Sequence, residues 1–70
     1  MHIHIISFEY FYKNAPDVII QDYSVIPVGS SAEARVYFWL HIAAIKSIQW
    51  AELDSLRITQ VRSTYVDITA

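Results

Sequence analysis

Two histidines one residue apart, His2 and His4, are the first side chains whose type and spacing could do chemistry. On a strand, residues i and i+2 share a face, so two imidazoles placed this way could ligate a metal such as zinc. A site needs a third or fourth ligand. The only other imidazole, His41, sits among hydrophobic residues, and the chain has no cysteine. The expectation is therefore polar ends on a terminal strand, with no metal and no cofactor. A metal-binding protein or enzyme using His2 and His4 stands as a rival reading.

The carboxylates Glu9, Asp17, Asp22, Glu33, Glu52, Asp54 and Asp67 show no spacing that brings two into one pocket for acid/base work. Serine, histidine and aspartate are all present, but no glycine-flanked nucleophile accompanies them. With a single glycine, a phosphate-cradling loop is excluded. The chain reads as non-enzymatic.

Tyr10, Phe11, Tyr12, Tyr23, Tyr37, Phe38, Trp39 and Trp50 invite a base-stacking platform, and a single-stranded nucleic-acid-binding module using sheet aromatics is the first alternative function. Such platforms add a cationic groove. Here Lys13, Arg35, Lys46, Arg57 and Arg62 are scattered and the formal net charge is −2, so nucleic acid is not an expected partner. Core and interface packing is the simpler use of these rings.

The elements that must position these groups read as strand, strand, helix, strand: a small α+β domain, residues 1–70, with an antiparallel sheet packed on one long helix and a short second helix. From His2 to Tyr12 the even-numbered residues His2, His4, Ile6, Phe8, Tyr10 and Tyr12 share a face, expected to meet the helix, while Ser7 and Glu9 face solvent. Lys13 to Asp17 has turn chemistry. Val18 to Val28 is rich in β-branched residues and forms the second strand until Pro27, which cannot donate to a ladder. Ser30 and Glu33 form a capping box. The helix from Ser30 to Lys46 is apolar nearly all round: Ala34, Tyr37, Phe38, His41, Ile42 and Ile45 on one face, and Val36, Trp39, Leu40 and Ala43 elsewhere. Ser47 to Leu53 can start a short helix, capped by Ser47 and anchored by Ile48, Trp50 and Leu53. Asp54-Ser55 is read as a break, and Leu56 to Ile68 as the last strand. Its alternation slips near Thr59-Gln60-Val61, which calls for a bulge.

A chain of 70 residues buries only about 60% of its unfolded surface and usually needs a supplement. Without cysteine or metal, that supplement is self-association. The excess apolar helix surface makes the same point, because one sheet can cover only one side of a helix. Val36, Trp39, Leu40, Ala43 and Trp50 are thus the candidate interface of a homodimer. No apolar run approaches the ~20 residues of a membrane span, so no membrane partner is expected. The start, MHIHIISFEY, lacks the pattern of a secretory signal, which makes the cytoplasm the expected location.

Tyr23 to Arg62 resembles a loose family of very short phage and mobile-element proteins. The shared features are a strand hairpin, a helix opening Ser31-Ala32-Glu33-Ala34, the aromatic Phe38 one turn on, and a last strand Ile58-Thr59-Gln60-Val61-Arg62. Some such proteins are anti-CRISPR inhibitors that occupy a protein surface. The resemblance implies a small interaction protein, a phage-type inhibitor acting on a host protein complex in the host cytoplasm, with no catalytic residues.

Overall fold

The computed structural model describes residues 1–46 and 48–67, with the side chains of all of these except 43, 45 and 46. It is a small α+β structure: three antiparallel strands in the order β2-β1-β3 and one α-helix. The strands are β1, His2–Tyr12; β2, Ile20–Ile26; and β3, Leu53–Tyr65, and the helix, α1, is Ser31–Lys46.

Strand β1 sits centrally because both its neighbours can use it as a ladder. Its even-numbered residues His4, Ile6, Phe8 and Tyr10 are buried, and the odd ones are partly exposed. The turn after it closes with the Ala15 N–H on the Tyr12 carbonyl at 3.1 Å and the Val18 N–H on the Ala15 carbonyl at 3.1 Å. Val18 and Ile19, expected in β2, belong to this connection and are exposed. Regular pairing stops after Ile26, where Pro27 offers no donor and the Val28 N–H turns back to the Ile26 carbonyl at 3.2 Å.

Strand β3 starts at Leu53, so Asp54 and Ser55 are strand residues rather than a break. The register shows why the sequence misleads there. Phe11 pairs with Ser55 and Tyr12 with Leu53, leaving Asp54 as an extra residue. A second irregularity leaves Thr59 extra, between Ser7↔Gln60 and Phe8↔Ile58. One extra residue reverses which face the side chains use, so Leu56, Ile58 and Val61 all end up against the core despite their broken alternation.

The core gathers Ile6, Phe8 and Tyr10 from β1, Ile26 from β2, Ala34, Phe38 and Ile42 from α1, and Ile48. The helical members are spaced i, i+4, i+8, one narrow stripe. Tyr37 and His41, expected on this stripe, lie outside it and are exposed; their rings contact each other with centroids 4.4 Å apart. The expected second helix is a single 3-10 turn, Trp50–Glu52, whose N-terminal flanking residue is Gln49. Ser47, the expected cap, lies outside the described residues, and Trp50 is exposed rather than an anchor.

The molecule measures 47 × 22 × 18 Å, with a radius of gyration of 13.6 Å against about 11 Å for a compact chain of this length. A 13-residue strand spans roughly 44 Å and a 16-residue helix roughly 24 Å, so the β1–β3 ribbon outruns the helix. The ribbon end carries His2 and Tyr65 as an exposed edge-to-face pair 5.2 Å apart.

Candidate functional site

The helix begins where Ser30 supplies its cap: the Ser30 hydroxyl accepts the Glu33 N–H at 3.1 Å, and the Ser30 carbonyl accepts the Ala34 N–H at 3.0 Å. The Glu33 carboxylate lies beside Gly29, with both oxygens 3.8 Å from where a Cβ would stand. With the start set, a rotation of about 100° per residue fixes which side chains oppose the core. Val36 and Leu40 stand opposite Phe38, and Trp39 flanks them. Val36 is 61% exposed, Leu40 73% and Trp39 46%. The Ala43 side chain lies outside the described residues.

Val36 and Leu40, together with Val28, Ala32, Glu33 and Tyr37, line an open groove of about 430 Å³. Its lining is apolar apart from the Glu33 carboxylate and the Tyr37 hydroxyl. Trp39 is not among the lining residues; its ring meets Phe38 edge-on at 5.2 Å. Trp50, also expected at the interface, is 45% exposed on the 3-10 turn and is not part of this groove. The structure therefore joins Val36 and Leu40 in one feature and leaves Trp39 and Trp50 outside it. Val28, Ala32 and Tyr37 are groove residues outside the interface expected from the sequence, and Glu33, expected only in the helix cap, lines the groove as well. The helical period alone would have found Tyr37, since it neighbours Leu40 at i+3.

The histidines are not brought together as ligands. His4 is buried, with Nδ1 2.7 Å from the Ser63 hydroxyl and Nε2 3.0 Å from the Val28 carbonyl oxygen. His2 pairs with Tyr65 and His41 with Tyr37. Among the described residues no group of three or more His, Cys, Asp or Glu is placed to hold a metal ion.

The aromatics divide between the two sheet faces. Phe8, Tyr10 and Phe38 are in the core, and Tyr12 packs against it. The opposite face carries Phe11 and Tyr23 from the ladder, with Arg57 and Arg62 in β3. Arg57 stands opposite Glu9 and forms an ion pair with it. That pairing reduces the cationic character a base-stacking surface would need.

No helix among the described residues is long and apolar enough to cross a membrane. Comparison with protein-family models, curated proteins and solved structures finds no match to this chain.

Proposed function

We propose that this chain is a small non-enzymatic interaction domain that self-associates as a homodimer through the outer face of α1. One observation carries the reading: a helix whose buried side chains among the described residues are Ala34, Phe38 and Ile42 exposes Val36, Leu40 and Trp39 on its remaining surface. Soluble monomers rarely leave such side chains contiguous and uncovered. Two-fold pairing is the commonest closed way to cover them, and it places each patch against its own copy.

Sedimentation velocity across the micromolar range tests this. The expected result is a dimer for the natural chain and a folded monomer for Leu40→Glu, with Thr64→Glu at the far end of the ribbon still dimeric. A natural chain that stays monomeric at high micromolar concentration sinks the homodimer.

The narrower proposal, that the domain is a phage-type inhibitor blocking a host protein complex in the cytoplasm, rests on the likeness of Ser31–Ala34, Phe38 and Ile58–Arg62 to short phage proteins. Its check is target cleavage by purified CRISPR effector complexes with and without the protein. Unchanged cleavage across the effector types removes the anti-CRISPR reading and leaves the dimer untouched.

A further inference from the structure

Away from the outer helix face, a polar chain centred on buried His4 ties three segments together. His4, 3% exposed, places Nε2 3.0 Å from the Val28 carbonyl oxygen and Nδ1 2.7 Å from Ser63 Oγ. A carbonyl oxygen can only accept. In the neutral imidazole Nε2 therefore carries the proton and Nδ1 is bare, so the Ser63 hydroxyl donates to Nδ1. The order is that of an activated nucleophile: hydroxyl, base, and an acceptor that orients the base. Ser63 itself is exposed.

The strand register adds a third element. Met1 and Val66 exchange both N–H···O bonds, each 2.8 Å. Antiparallel pairs alternate, so Ile3↔Thr64 is the next hydrogen-bonded pair and both His2↔Tyr65 and His4↔Ser63 are non-hydrogen-bonded pairs. The Ser63 N–H consequently points away from β1. Because β3 is an outer strand, no described strand claims it. A free N–H on the nucleophile's own residue is one of the donors that a tetrahedral oxyanion requires.

We propose that Ser63 is a nucleophilic serine that takes an acyl group from an activated ester, with His4 as its general base. Ser63 Oγ bonds to the acyl carbon as its proton passes to His4 Nδ1. The adduct then collapses: the bond to the departing oxygen breaks, and that oxygen takes the proton from Nδ1. The products are acyl-Ser63 and the free alcohol or phenol. The Val28 carbonyl is a positioning group that holds the tautomer. The step is a single transfer that adds a covalent modification site to the domain, and it is independent of the helix-face interface.

The test incubates the full chain with p-nitrophenyl acetate and maps acetyl groups by mass spectrometry. The expected result is one acetyl on Ser63, absent in Ser63→Ala and formed about 100-fold more slowly in His4→Gln. The glutamine amide can still donate to Val28 and accept from Ser63, but it takes no proton. Circular dichroism shows whether the variant is folded. Unfolding the natural chain in urea should abolish Ser63 labelling, which supplies the control should His4→Gln fail to fold. Acetylation confined to the amino terminus and lysines, equal Ser63 rates in folded His4→Gln, or Ser63 labelling that survives urea would each overturn the proposal.

Discussion

The Phe8 ring of β1 stands 5.0 Å from the Phe38 ring of α1, and both side chains are almost wholly buried. This contact joins the central strand to the middle of the helical stripe. Truncating a buried phenylalanine costs about 3–5 kcal/mol, while a domain of this length has only roughly 4–10 kcal/mol in total. Phe38→Ala should therefore leave the chain largely unfolded or with a greatly lowered urea midpoint by circular dichroism. A variant that loses less than about 1 kcal/mol would mean that this contact contributes little to stability.

The cap makes a smaller and sharper prediction. Ser30→Ala removes the acceptor of the Glu33 N–H and should cost about 1 kcal/mol, whereas Ser31→Ala, already inside the helix, should be neutral or slightly stabilising because alanine is the better helix former. Equal losses from both changes in urea titrations would place the helix start elsewhere.

Much of this architecture was legible because local chemistry and periodicity agreed. The even-numbered face of β1, the Ser30 cap and the need for an extra residue near Thr59 can all be read from spacing, and each has its counterpart in the register or the hydrogen bonds. Errors arose where the sequence pattern was locally ambiguous. Asp54-Ser55 looks like a turn, yet it is strand because a second extra residue absorbs the mismatch. Tyr37 and His41 fit a broad apolar face, but among the described residues the buried stripe runs along Ala34, Phe38 and Ile42, at i, i+4 and i+8. The groove could not be read in full, because Val28 comes from the connection before the helix and nothing in its spacing predicts where that segment lies. The His4–Ser63 pair was hidden for the same reason: it joins residues 59 positions apart through a ladder whose register depends on a bulge.

Ser24 offers a test of polar satisfaction. It pairs across the ladder with Ile6, is 4% exposed, and its hydroxyl has no hydrogen-bond partner among the described residues. An unpaired buried hydroxyl costs about 1–3 kcal/mol, so Ser24→Ala should be neutral or raise stability by up to about 1 kcal/mol once the lost packing is counted. A loss above 1 kcal/mol in urea unfolding would show that the hydroxyl does have a partner.

Tyr10 ties stability to alkaline pH. Its pKa is raised from the ordinary 10.0, first by burial, then by the nearby Tyr12 and Asp22 charges and by a side-chain hydrogen bond with Tyr12. Each cause favours the neutral phenol in the folded chain. Below the ordinary value both folded and unfolded chains keep this proton, and the contribution is fully present. As pH rises through that value the unfolded chain releases its proton first, so folding becomes less favourable until the folded phenol also ionises at its higher pKa. The natural chain should therefore lose stability relative to Tyr10→Phe as pH climbs from about 9 to about 11. Phenylalanine cannot ionise, and its missing hydrogen bond adds only an offset that does not vary with pH below the ionisation range. Urea midpoints measured for both chains over that range decide the matter: curves that converge or cross support an un-ionised Tyr10 in the core, and parallel curves would mean that its phenol ionises equally well folded and unfolded.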